Sequence, residues 1–184
     1  MNKLIPLVAG LFAATVYAQQ PSLTTTPDPG VPFVQENADK AMKVALMVAA
    51  NACPNAVQHN LTYAPPFSKK QTYIAGMLLQ VENEIYNVIV ADALNYGERD
   101  HVRMIIFPEG ITFEQAQKGK GILQGTTIID LGIDGHVDMA NERKMSSYYV
   151  TVGMRTQHPE LAAHYNQVYM NSLDSIMAKC EGQQ

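Results

Sequence analysis

Beyond its first eighteen residues the chain has no apolar run approaching the ~18 residues that a membrane-spanning helix needs, so the remainder is expected not to span a bilayer. Basic blocks are missing too. With 13 Lys and Arg against 17 Asp and Glu, no stretch concentrates the positive charge that tracks a phosphate backbone, which excludes nucleic acid as an expected partner. No GxSxG, HExxH or P-loop pattern occurs. The ten methionines and nine tyrosines form no repeated cluster, and read as core and interface packing rather than as a copper or haem site. Cysteine is scarce, at two residues, and no CxxC or CxxCH motif offers redox exchange or haem attachment. No internal repeat is visible. These absences leave no catalytic motif, and the expectation is of a protein that is not an enzyme.

What is present begins with an address. "MNKLIPLVAGLFAATVYA", residues 1–18, has a basic start at Lys3, an uncharged and largely apolar run from Leu4 to Val16, and small residues at Val16 and Ala18. That is the pattern of a secretory signal peptide cut after Ala18, and the run is short for a membrane anchor. Cleavage would leave 166 residues, 12 of them basic and 17 acidic, and a periplasmic or secreted protein. A chain of that length can bury about 70% of its unfolded surface around one core. In such a compartment Cys53 and Cys180 are expected to form a disulfide. Residues 19–33, "QQPSLTTTPDPGVPF", are rich in Pro and Thr and poor in large apolar side chains; they read as a flexible leader ahead of a single globular domain over 34–184.

Within that domain, "VQENADKAMKVALMVAANAC" repeats Ala38, Met42, Ala45, Val48 and Ala52 at helical spacing, and Pro54 predicts the end of the helix near Cys53. "PNAVQHNLTYAPPFSKK" carries three prolines and reads as a long loop; it contains the glycosylation acceptor pattern Asn60-Leu61-Thr62. "TYIAGMLLQV", "EIYNVIVADAL" and "HVRMIIF" predict an antiparallel meander, the middle run taken as strand because of its β-branched residues. Thr112 and Gln115 have capping-box spacing before a short helix stopped by Gly119. "GTTIIDLGIDGHVDMA" and "SSYYVTV" are further strand candidates. Pro159 opens a final helix of about 22 residues by its periodicity, with Leu161, Tyr165, Val168, Ser172, Ile176 and Cys180 on one stripe. The fold class is α+β: a mainly antiparallel sheet packed against an N-terminal helix and a long C-terminal helix.

The stretch "IIDLGIDGHVDMA" resembles a calcium loop of the EF-hand and dockerin type. Asp130 stands at its first position, Asp134 at the fifth, Gly135 at the sixth and Asp138 at the ninth; Gly132 and Asn141 depart from the pattern, and Glu142 comes one residue late. The resemblance implies a weak calcium site, the one cofactor the residues suggest, and an exported protein meets millimolar calcium. The competing reading is structural: Asp134-Gly135 as a two-residue hairpin turn, with Ile128 to Ile133 and His136 to Ala140 as paired arms. A second stretch, "RMIIFPEGITFEQA" followed by "ILQGTTI", resembles LysM-type carbohydrate modules, which implies cell-wall glycan binding. There is little chain between the two halves for the usual second helix.

For catalysis, Glu160 and His164 share a helical face without a third ligand, and Glu82, Glu84 and Glu109 are the carboxylates that could form a pair. The sequence therefore points to a small exported binding or interaction protein of the envelope or extracellular space, its partner unidentified. The alternatives are a carboxylate-dependent envelope hydrolase, a glycan-binding module and a calcium-stabilised structural domain.

Overall fold

The computed structural model describes residues 23–63, 72–91, 100–141 and 156–182. Residues 1–18 and the strand candidate "SSYYVTV" lie outside them.

The chain forms helix α1 (Gln35–Ala49), then strands β1 (Val57–Tyr63), β2 (Thr72–Val81), β3 (Glu84–Ala91) and β4 (His101–Ile106). A short helix α2 (Phe113–Gln117) and a 3-10 turn (Ile122–Gln124) lead to β5 (Thr126–Leu131) and β6 (Met139–Asn141), and helix α3 (Pro159–Glu181) closes the domain. The six strands form one sheet in sequence order, and each pairs antiparallel with the next. This is the expected α+β class.

Alternation along the strands assigns their side chains to two faces. On one face Met77, Val88, Met104, Ile128 and Ala140 stand directly opposite one another across five strands, all buried. They meet Ala41, Val44, Ala45 and Val48 of α1 and Tyr165, Tyr169, Leu173 and Ile176 of α3 in the main core. The other face carries Leu78, Ile85 and Ile105, which pack with Phe107 and Ala116 in a second, smaller cluster. The helices therefore do not all lie on one face: α2 covers the reverse side, where odd-numbered β4 residues and even-numbered β2 residues emerge. Its start is capped as its spacing predicts, with the Gln115 amide donating to Thr112 Oγ1 and the Thr112 amide donating to Gln115 Oε1.

The segment Val57–Tyr63 corrects the expectation of a long loop over residues 54–70. Its prolines lie outside the seven residues that pair, and its partner is the strand formed by Thr72–Leu78. That long-range pairing, invisible to local propensity, supplies the hydrogen bonds which make it a strand. The disulfide is present, Cys53–Cys180, at a sequence separation of 127. It joins the end of α1 to the end of α3, alongside ion pairs of Lys40 with Asp174 and Lys43 with Glu181. No described helix is long and apolar enough to cross a membrane.

Candidate functional site

Two polar constellations occupy opposite ends of the sheet. The first is the aspartate stretch at the end of β5. Asp130 lies opposite Val102, which lies opposite Val90, which lies opposite Ala75, so the pleat points a carboxylate into the helix-covered face. Asp130 is fully buried. Its oxygens accept the amides of Asp134 at 3.1 Å and Gly135 at 3.0 Å and the hydroxyl of Tyr169 at 3.1 Å. Burial first, then the negative charge of Asp134, pushes the Asp130 carboxyl well above its ordinary value, against the opposing pull of those three donors. Burial likewise raises the Tyr169 hydroxyl, with Asp130 beside it adding to the shift.

The hairpin is wider than the sequence implies. Pairing between β5 and β6 ends at Ile129 and Met139, with the Asp138 amide donating to the Ile129 carbonyl at 2.9 Å. Residues 132–138 form a loop rather than a two-residue Asp134-Gly135 turn. The Asp134 carboxylate explains why: it accepts the His136 amide at 2.9 Å within the loop and the Asp28 amide at 2.7 Å from the N-terminal segment. Asp138 accepts the Leu131 amide at 2.7 Å. Gly135, at φ +81°, has no room for a side chain, since an added Cβ would lie 2.5 Å from the backbone of Asn37 in α1. Ile133, fully buried, has a φ of 51°. This left-handed conformation is costly for a β-branched residue, so the surrounding contacts impose it.

The loop thus brings Asp130 and Asp134 together and turns Asp138 back onto Leu131. Each carboxylate receives N–H donors, whose hydrogens occupy the approach a cation would need. Among the described residues no three His, Cys, Asp or Glu side chains are grouped to hold a metal ion. Millimolar calcium, and chelator in its place, should leave the melting temperature unchanged; a calcium-dependent rise lost in Asp134→Ala would restore the metal reading.

The second constellation flanks the β2–β3 hairpin tip. There a groove of about 740 Å³ is lined by Val81, Glu82, Glu84, Phe107, Glu109 and Ser175, with Ala178 and Lys179 of the last α3 turns. A smaller cavity of about 430 Å³ adjoins it, sharing Glu82 and Lys179 and reaching Cys53 and Phe113. The meander is what collects the glutamates: Val81 pairs with Glu84 at the hairpin end, Tyr86 pairs with Ile106, and Glu109 follows just beyond β4. The Tyr86 hydroxyl donates to Glu84, and burial, then Glu84, raises that phenol above its ordinary value. The negative end of the α3 dipole lies on the same side, partly offset by Lys179.

No protein-family model matches the chain, and no curated protein or solved structure matches it. The site must be read from its own chemistry.

All three glutamates singled out in the sequence line the groove, whereas Asp138 lies at the other end of β5. Glu160 and His164 are exposed near the start of α3; Glu160 faces His158 at 3.5 Å. Sequence reasoning did not find Ser175, Ala178 and Lys179, although their three-to-four spacing marks a second helical face beside the core stripe. Nor did it find Tyr169, which completes the Asp130 knot.

Proposed function

We propose that the protein is an exported binding module without catalytic activity, which receives its ligand in the groove between the β2–β3 hairpin and the end of α3. The observation that carries this reading is the groove's make-up. Three apolar residues, Val81, Phe107 and Ala178, are combined with a larger polar set, Asn83, Ser175, Lys179 and the three glutamates, in a concave site of the size that receives small ligands. Its rim favours a ligand that brings positive charge to an apolar body. The disulfide is compatible with an oxidising compartment, and residues 1–18 supply the export signal in this reading.

An amphipathic hexapeptide of alternating lysine and leucine, blocked at both ends, is a direct probe. Its titration should perturb the amide resonances of Glu84, Ser175 and Ala178. Combined Glu82→Gln, Glu84→Gln and Glu109→Gln substitution should weaken binding about tenfold or more at low salt, as expected when an unscreened attraction is removed. Shifts scattered over the whole surface, or equal affinity in the triple variant, would sink the reading.

Carboxylate-dependent hydrolysis is the second reading, favoured by the meeting of Glu82, Glu84 and Glu109 in one groove. Turnover of peptidoglycan at high protein concentration, abolished by Glu109→Gln, would establish it in place of the first. Absence of turnover would retire it.

A further inference from the structure

Among the described residues, those other than glycine with a positive φ are Asn51, Asn55, Glu82 and Ile133. Asparagine visits the left-handed region readily, because its short side chain can hydrogen-bond locally. The buried Ile133 is held there by the loop that Asp130 and Asp134 anchor. Glu82, at φ 52°, is exposed and has neither reason. Val81 pairs with Glu84, so Glu82 and Asn83 are the two central residues of the β2–β3 turn. Of the two, Glu82 alone has a positive φ, and a two-residue hairpin of that pattern favours glycine at its first central position. The one hydrogen bond Glu82 makes among the described residues is accepted from the Gln80 side chain by its backbone carbonyl, a bond that glycine would keep. Its carboxylate has no partner among the described residues.

We infer, on the reading of the groove as the binding site, that Glu82 selects its ligand: the carboxylate takes the ligand's positive group where the two cavities join, and the ligand extends an apolar group into the smaller cavity. Glu82 and Lys179 are the residues that line both. Of the other two glutamates, Glu84 already accepts the Tyr86 hydroxyl, and Glu109 lines the larger groove alone. The smaller cavity presents Pro54, Leu79 and Phe113 beside Cys53 of the disulfide, with the carboxamides of Asn55 and Gln80. Among the described residues Glu82 is its one carboxylate.

A backbone conformation that costs stability persists where surroundings or function demand that residue. Neither packing nor an internal bond demands a glutamate at position 82, whereas a two-residue turn closing two paired strands is a firm mount for one. A carboxylate held there loses less freedom on meeting a cation than one on a long loop would. Lys179 stands on the same junction from the α3 side and forms no ion pair among the described residues. Its charge repels a cation, so the ligand's positive group belongs on the hairpin side of the junction. A chain bearing a single basic group next to an apolar one, such as a Lys-Leu step in a peptide, has the required form.

Thermal unfolding and titration with the blocked lysine–leucine hexapeptide, both on the full chain, test strain and recognition together. Glu82→Gly should raise Tm by about 2–4 °C, the strain relieved outweighing the greater freedom of an unfolded glycine. The same variant should bind the peptide about tenfold more weakly, the loss expected when a hydrogen bond to a charged group goes. Glu82→Gln keeps the strained backbone, and should weaken binding equally without the gain in Tm. Glu109→Gln should cost less than about threefold, and Lys179→Met should tighten binding. Replacing the peptide's leucines by serine should remove the resonance shifts at Leu79 and Phe113. Wild-type affinity in Glu82→Gly and Glu82→Gln, with binding still lost in the triple glutamine variant, would overturn the role of Glu82 and leave the groove as the site. An unchanged or lower Tm in Glu82→Gly would overturn the argument from strain. A wild-type chain that does not bind the peptide in the groove would remove both this role and the site.

Discussion

Asp130→Ala is expected to destabilise the fold by roughly 3 kcal/mol or more, since each buried donor left without its acceptor costs about 1–3 kcal/mol. The carboxylate organises three donors at once: the amides of Asp134 and Gly135 and the hydroxyl of Tyr169. Alanine leaves all three buried without that acceptor, and the loop that carries the φ of 51° at Ile133 loses its anchor on the sheet. Equilibrium urea unfolding measures the loss; a cost below about 1 kcal/mol would show that the donors find other acceptors. Asp130→Asn separates charge from geometry. Because burial and Asp134 raise the Asp130 carboxyl well above its ordinary 3.8, the folded chain holds that proton more tightly than the unfolded chain does. The stability from this group is greatest in acid. It falls as pH rises from about 3.8 through the raised folded value, and is level above it. An asparagine cannot ionise, so the stability advantage of the wild type over Asp130→Asn should shrink with rising pH. Unfolding curves at pH 4, 6 and 8 giving a constant difference would contradict the raised carboxyl.

Removing the disulfide should cost as much. Replacing Cys53 and Cys180 together by alanine releases a loop closed across a separation of 127, worth about 5 kcal/mol of unfolded-chain entropy at that length. The effect is expected to reach the groove as well, because Cys53 lines the adjoining cavity beside Lys179 and the bridge holds the ends of α1 and α3 together. Thermal unfolding and the lysine–leucine peptide titration together test this: lower stability with weakened peptide binding is the expected pair of results. A loss of stability under about 1 kcal/mol would mean that the α1–α3 packing and the Lys40–Asp174 contact hold these ends without the bridge.

These two devices differ in how far local sequence reveals them. Cysteine scarcity made the disulfide legible: with an apparent export signal and two cysteines there was one pairing to consider. The helices were legible for a similar reason, since Ala38, Ala45 and Val48 repeat at a spacing that buries one face whatever the helix packs against. The β2–β3–β4 meander followed from dense β-branched runs divided by short polar connections. β1 did not, because Val57–Tyr63 becomes a strand only when Thr72–Leu78 is alongside it. The partners of the aspartates were not legible for a different reason. Their four-residue spacing resembles a cation loop, but the spacing records neither the direction of the pleat at Asp130 nor the arrival of Asp28 and Tyr169 from distant parts of the chain.

The sequence by itself determined the helical stripes, the strand-rich middle, the available cysteine pair and the carboxylates on offer, because periodicity and residue type are local properties. Tertiary structure decided which of those carboxylates share a surface. Strand register carries Glu82, Glu84 and Glu109 to one end of the sheet, beside the last turns of α3, and the pleat buries Asp130 at the other. Whether an acidic group becomes part of a groove or a buried acceptor for backbone amides depends on neighbours tens of residues away, and the spacing around it carries no record of them.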